Sequence, residues 1–231
     1  TEGFANEEQN IQSVRENMTE NTCAVMIEFI QGEGGVMPLD PQFVKELAAL
    51  CKERGVLLIA DEVQTGVGRT ATLNCREQYG VKPDVLTSAK GLGGGLPIGA
   101  CLCTEELRGV MGRSSHGSTF GANPVVCAGA LEVVRRVSQP EFLAAVKEKG
   151  EYLRSRLEQM DGVAEVRGMG MMLGIVPARS TAAALSAACV ENGLLILTAK
   201  SLLRLLPPLT ITREEMDKGL AILEKVLSAA H

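Results

Sequence analysis

Val56-Leu57-Leu58-Ile59-Ala60-Asp61 is an uninterrupted apolar run that ends on a carboxylate. Its surroundings decide how it reads. Upstream, Ala24-Val25-Met26-Ile27-Glu28-Phe29 is a second short, mostly apolar run. Between the two, Gly32, Gly34 and Gly35 open a loop. Asp40-Pro41 then supplies a helix cap and a first helical residue, and Phe43, Val44, Leu47, Leu50 and Cys51 share one helical face before Gly55. Proline is well placed there, because its missing N–H is one that a helix start leaves orphaned anyway. Strand, helix and strand with continuous apolar strands predict a βαβ unit of a parallel sheet covered on both faces. Asp84–Ala89, ending at Lys90, and Ile98–Cys103 read as further strands of the same layer. Ligands of such sheets bind beyond the carboxyl ends of the strands, and Glu28, Asp61 and Lys90 all fall at or near such ends.

The pattern changes after Asn123-Pro124. That pair opens an apolar helix, Gln139-Pro140 breaks it, and a charged amphipathic helix follows to about Met160. Two short apolar pieces surround Gly168 and Gly170, and an Ala-rich helix covers 180–191. Leu194–Leu197 and Leu202–Leu206 read as strands, and Thr212-Arg-Glu-Glu215 is a capping box that starts a last helix. Residues from about 125 therefore read as a smaller α+β domain. Residues 1–22 are polar and weakly periodic.

Composition narrows the function. The chain has 231 residues, with 23 Lys plus Arg against 28 Asp plus Glu, for a net charge of −5. An acidic chain without a basic run has little with which to displace the counterions of a nucleic acid. No apolar run has the roughly 18–20 residues needed to span a bilayer. The seven cysteines are odd in number and show no C-x-x-C spacing, so reduced thiols in a cytoplasmic protein are expected, with no structural metal. Cys101 and Cys103 would share one face of a strand, but the chain has only two histidines to complete a metal site.

Several residues carry possible chemistry. Asp61 closes an apolar strand, where a carboxylate is costly unless a cation meets it; capping a following turn is the bland alternative. Lys90 ends the next strand and precedes Gly91-Leu-Gly-Gly-Gly95. The glycines follow the lysine, the reverse of a phosphate-binding nucleotide loop, so that reading fails. They either leave room for a bulky group or permit tight turns. Partial burial is expected for Lys90 at such a strand end, and it would free the amine for imine formation. His116-Gly-Ser-Thr-Phe-Gly121 offers hydroxyls and amides suited to an anion. Arg204, in an apolar strand, must find an anion, and Glu28 and Glu33 are acids near the strand mouth. Asp61 with Lys90 forms the acid-and-lysine pair of pyridoxal 5'-phosphate (PLP) sites.

Five stretches make that match specific: Gln31-Gly-Glu-Gly-Gly35, Asp61-Glu-Val-Gln-Thr-Gly66, Lys90-Gly-Leu-Gly-Gly-Gly-Leu-Pro97, His116–Gly121 and Leu203-Arg-Leu-Leu-Pro-Pro-Leu-Thr210. From about residue 22 onward the sequence resembles the class III PLP-dependent aminotransferases. The resemblance implies an α/β fold: a partial PLP-binding large domain over 1–124, mostly parallel sheet with flanking helices, and a small α+β domain over 125–231. It implies that Lys90 is the Schiff-base lysine and general base, and that Asp61 keeps the pyridine nitrogen protonated. Glu62, Val63 and Gln64 would line the cofactor, with Val63 on a ring face and Gln64 on the phenolic oxygen. Thr119 would bind the phosphate of a neighbouring subunit's cofactor in a homodimer with shared sites, with Ser118 near the substrate. Arg204 would hold the α-carboxylate of glutamate or 2-oxoglutarate, and Glu33 would pair with Arg204 while the amino donor reacts at its distal amine. The implied activity transfers the distal amino group of N-acetylornithine to 2-oxoglutarate, in arginine biosynthesis. Ornithine, succinylornithine or 4-aminobutyrate are alternative donors, and a catalytically inert truncated product is the alternative of another class. The family's N-terminal half, with its own cofactor and substrate contacts, has no counterpart in residues 1–22, so the chain is expected to be a C-terminal fragment.

Overall fold

The structure is a computed structural model, and it describes residues 10–230. By its contacts the chain divides into two compact units. The first comprises the described residues up to Phe29, Leu39–Gly68 and Thr72–Gln139; the second comprises Ile30–Pro38, Arg69–Ala71 and the chain from Pro140 onward.

The first unit is built on a four-stranded sheet. After helix α1 (Ile11–Asn17) comes strand β1 (Ala24–Ile27), and after the short strands β2 (Ile30–Gln31) and β3 (Met37–Pro38) come helix α2 (Pro41–Arg54) and strand β4 (Leu57–Asp61). Helix α3 (Arg76–Tyr79), strand β5 (Val85–Ser88), strand β6 (Ala100–Cys103) and helix α4 (Pro124–Val137) follow. Sheet order is β1-β4-β5-β6. β1, β4 and β5 run parallel, as the βαβ reading predicts. β6 departs from the expected series of parallel strands: it returns antiparallel to β5, because the link through the glycine-rich loop is too short for a parallel crossover. α2 forms where its signals place it. The Asp40 carboxylate accepts from the Phe43 N–H at 2.9 Å, and Gly55 takes the left-handed conformation, φ 64°, that closes the helix.

α1 was not anticipated. Asn10 caps it, and Ile11, Val14 and Met18 pack on the cluster of Leu47, Cys51, Val56 and Leu58. One apolar residue per turn was enough once α2 supplied a surface. Phe29 is fully buried and stacks on Tyr79 with ring centroids 4.9 Å apart, while the Tyr79 hydroxyl lies 2.9 Å from the Phe29 carbonyl oxygen. Burial drives the Tyr79 phenol far above its ordinary pKa, so it stays a donor.

The second unit holds helix α5 (Pro140–Glu158), the hairpin of β7 (Val163–Met169) and β8 (Met172–Pro177), helix α6 (Ala182–Glu191), strands β9 (Leu197–Ala199) and β10 (Leu202–Leu205), and helix α7 (Arg213–Ala229). Its sheet is antiparallel throughout, in the order β7-β8-β10-β9. Leu173, Ile175 and Leu203 pack against Leu153, Leu157, Leu185, Cys189, Leu220 and Leu223 of the three helices. Alternation then puts Leu202 and Arg204 on the opposite face. Thr212 and Glu215 complete the predicted capping box of α7. β9 starts at Leu197, where the expected strand 194–197 ends.

Contacts place the change of unit at Pro140, whereas the expected boundary was 124/125. The reason is physical: α4 packs on the loop after Lys90. A Cβ on Gly94 would meet Val133 Cγ2 at 2.8 Å, and one on Gly129 would meet Leu96 Cδ1 at 2.6 Å. The glycines after Lys90 thus serve close approach and, at Gly94 and Gly95 (φ 58° and 106°), left-handed turns.

Gly150 in α5 sets a sharper test. Helix propensity alone favours alanine there by about 1 kcal/mol. A Cβ at that site, however, would lie 2.4 Å from the Gly170 carbonyl oxygen in the β7–β8 turn. Backbone cannot rotate away as a side chain can. Gly150→Ala is therefore expected to destabilise the protein by about 1–3 kcal/mol in denaturant unfolding, propensity notwithstanding.

Candidate active site

Asp61 and Lys90 lie at the carboxyl ends of neighbouring parallel strands. The register pairs Asp61 with Thr87, and Lys90 follows three residues later. Asp61 is half-buried. Its Oδ1 accepts from the Val63 N–H at 3.0 Å and from the Thr87 hydroxyl at 3.1 Å. Among the described residues Oδ2 has no hydrogen-bond partner. The turn-capping role therefore occupies one oxygen of the carboxylate and leaves the other without a bond among the described residues.

Lys90 opens a single 3-10 turn, Lys90–Gly93, with φ at 45°, the left-handed region that a side chain enters at a cost. That turn carries the chain out past the end of β5. Lys90 is consequently exposed, which corrects the expected partial burial, and its side chain makes no hydrogen bond or ion pair among the described residues.

Glu62 corrects the sequence reading more firmly. It was expected to line the cofactor, yet its side chain is fully buried, 0% exposed. Its carboxylate accepts from the Thr65 hydroxyl and the Cys75 N–H, both at 2.8 Å, and from the Arg76 N–H at 2.7 Å. It is a strut between the turn after β4 and the start of α3. Val63 and Gln64 are half-buried in that same turn. Ser118 and Thr119 lie exposed in a loop, and no hydrogen bond among the described residues joins them to Asp61 or Lys90.

Within the second unit the structure brings Glu33 and Arg204 together. Arg204, 8% exposed on β10, meets Glu33 through Nη1 and Oε1 at 2.6 Å, while the Glu33 side chain is 72% exposed. The turn between β2 and β3 lies over the Arg204 face of the sheet: a Cβ on Gly174, the β8 partner of Arg204, would meet Val36 Cβ at 2.9 Å. Arg69, which the sequence reading passed over, is also a strut. Its Nη1 donates to the Pro207 and Met171 carbonyl oxygens at 2.6 and 3.1 Å, and burial lowers its pKa to about 10, so it keeps its charge at neutral pH. Thr87 was missed as well, since a threonine in a strand reads as ordinary β-propensity until the register is known.

The donor set fits PLP. A carboxylate held by one oxygen leaves the other, an amine without a counter-ion among the described residues stands at the adjacent strand end, and the turn after Asp61 carries Val63 and Gln64. No group of three or more His, Cys, Asp or Glu among the described residues is placed to hold a metal ion. No helix among them is long and apolar enough to cross a membrane.

Glu62 also generates a pH signature. Burial is the largest influence on it and raises its pKa above the ordinary carboxylate value, against the opposing hydrogen bonds from Arg76, Cys75 and Thr65. The folded state then binds this proton more readily than the unfolded chain. Its contribution is fully present below the unfolded value and is lost as pH rises through the folded one. Unfolding free energy measured as pH rises from the ordinary carboxylate range should show this decline, and Glu62→Gln should remove it. The same variant should cost about 1–3 kcal/mol, because the amide NH2 opposes one of three donors.

Comparison with known proteins bears on this arrangement. The sequence matches the family "Aminotransferase class-III" over residues 2–227. It is 47% identical over 223 residues to an acetylornithine aminotransferase of Listeria monocytogenes, covering 94% of this chain and 58% of that protein. With the acetylornithine aminotransferase of Haemophilus ducreyi the identity is 44% over 207 residues, covering 89% and 52%. The chain thus spans little more than half the length of these relatives. Among solved structures, N-acetylornithine aminotransferase of Stenotrophomonas maltophilia superposes with a TM-score of 0.86 at 36% identity, covering 98% of this chain and 61% of that one. The ornithine aminotransferase of Toxoplasma gondii gives 0.89 at 31% identity, covering 96% and 55%. An acid and a lysine at adjacent strand ends, a parallel sheet with an antiparallel companion sheet, and a match over nearly the whole sequence lead to one conclusion: the chain belongs to the class III aminotransferases, a PLP-dependent family.

Proposed function

We propose that the whole protein is a PLP-dependent transaminase that moves the distal amino group of N-acetylornithine to 2-oxoglutarate. The observation that carries this reading is that Asp61, with one carboxylate oxygen left unbonded, and Lys90, whose amine has no partner among the described residues, lie at the carboxyl ends of adjacent parallel strands. PLP, when bound, supplies an electron sink for the charge left at a substrate carbon when its C–H bond breaks.

The chain's own residues do the rest. Asp61 Oδ2 holds the ring nitrogen in its protonated form. Lys90 Nζ would hold the cofactor and would carry the proton at the reacting carbon. Its exposed, left-handed position suits a group that must alternate between those tasks. Val63 would pack on the cofactor ring and Gln64 would bind its phenolic oxygen. Thr119 would take the phosphate of the partner's cofactor in a homodimer, with Ser118 near the substrate; both lie in an exposed loop.

Arg204 binds the α-carboxylate of glutamate or 2-oxoglutarate. A buried guanidinium needs an anion at all times, whereas a largely exposed carboxylate can leave for water at little cost. Glu33 therefore covers Arg204 while the distal amine reacts, and gives way when an α-carboxylate arrives. An ornithine-type donor is the second reading, favoured by the likeness in fold to ornithine aminotransferase. A donor panel separates the two.

Borohydride reduction of the PLP-loaded protein followed by peptide mapping is expected to label Lys90; label on another lysine would refute its role. Asp61→Asn should slow turnover by about 100-fold or more while leaving the unfolding midpoint nearly unchanged. Arg204→Lys should raise the KM for glutamate by about tenfold, since a single ammonium cannot reproduce a bidentate fork, with a smaller effect on N-acetylornithine.

A further inference from the structure

We propose that Thr87 is a positioning residue for Asp61: its hydroxyl and the Val63 amide together occupy one carboxylate oxygen and thereby aim the other. The inference rests on the reading of Asp61 as the acid that meets the cofactor's ring nitrogen.

A carboxylate turns easily about its terminal bond, where the torsional wells are broad. One bond from the amide two residues on is a local turn that many Asp residues make. By itself it does not fix the plane of the group. A second donor arriving from the adjacent strand does, because two bonds from different directions meet at Oδ1. An ionised carboxylate only accepts, so the Thr87 proton must point at Asp61. The register makes the contact dependable: Asp61 and Thr87 are Cα partners across β4 and β5, so their side chains rise from the same face of the sheet. Threonine is stiff about χ1, which holds the hydroxyl in place. The Thr87 carbonyl accepts from the Glu62 N–H at 3.0 Å and ties the same residue to the turn that carries Val63. Thr87 thus holds this turn at two points.

Thr87→Val keeps the shape and β-branching and removes the hydroxyl; Thr87→Ser keeps the hydroxyl. The first measurement needs no cofactor. Hydrogen–deuterium exchange at the Val63 amide of the full chain reads whether the carboxylate keeps its pose. Thr87→Val should exchange about tenfold faster at that amide, and Thr87→Ser should stay within about twofold of the parent. The second measurement is PLP affinity with the pH dependence of the bound cofactor's visible absorbance. Thr87→Val should bind PLP about tenfold more weakly with a displaced pH profile, and Thr87→Ser should restore both. Val63 exchange unchanged in Thr87→Val would overturn the proposal. So would faster exchange with unaltered PLP binding. Asp61→Asn binding PLP as tightly as the parent would instead refute the reading of Asp61, while Val63 exchange still decides whether Thr87 holds the carboxylate.

Discussion

The parallel pairing of β4 with β5 is the constraint from which the candidate site follows. Parallel strands end on the same edge of a sheet, so two residues far apart in sequence meet without any loop having to carry them there. Asp61 closes one strand, Thr87 sits opposite it, and Lys90 follows immediately past the end of the second. The sheet also limits what can be buried. A carboxylate at the end of an apolar strand must be hydrogen-bonded, and here the bonds converge on Oδ1.

The segment from Asp61 to Arg69 shows how function and support share one stretch of chain. Asp61 has one carboxylate oxygen without a hydrogen-bond partner among the described residues, whereas its neighbour Glu62 is wholly enclosed and spends its carboxylate on the Thr65 hydroxyl and on backbone amides at the start of α3. Arg69 uses its guanidinium on the carbonyls of Met171 and Pro207. Such groups are costly to bury and costlier to leave unpaired, so they hold loops firmly. Charge density in a motif is therefore a poor guide to which member does the chemistry. The partners of each oxygen and nitrogen are the better guide.

Arg204 illustrates the same economy in the second unit. Its strand alternates, with Leu203 facing the helices and Arg204 on the side over which the β2–β3 turn lies. That turn contributes Glu33, and the pair joins a buried cation to a largely exposed anion. Segments 30–38 and 69–71 belong to this unit although they lie within the sequence of the first. Interleaving of this kind defeats any boundary drawn at a single residue.

The amino-acid order by itself determined the local elements, because their causes are local. Asp40-Pro41 and Gly55 bound α2, Asn123-Pro124 opens α4, and Thr212 with Glu215 starts α7. The apolar runs marked β1, β4, β5 and β10, and the motifs around Asp61, Lys90 and Arg204 pointed to the family that the comparisons then supplied. Tertiary structure alone decided what depends on partners distant in the chain. It made β6 antiparallel, gave α1 a surface on α2, moved α4 into the first unit and left Lys90 exposed. It also separated the two acids at 61 and 62, adjacent residues whose side chains alternate to opposite environments, one toward Thr87 and an open position, the other into a buried cage of three donors. Pattern and propensity act over a few residues, whereas register, burial and hydrogen-bond geometry exist only once the strands have paired.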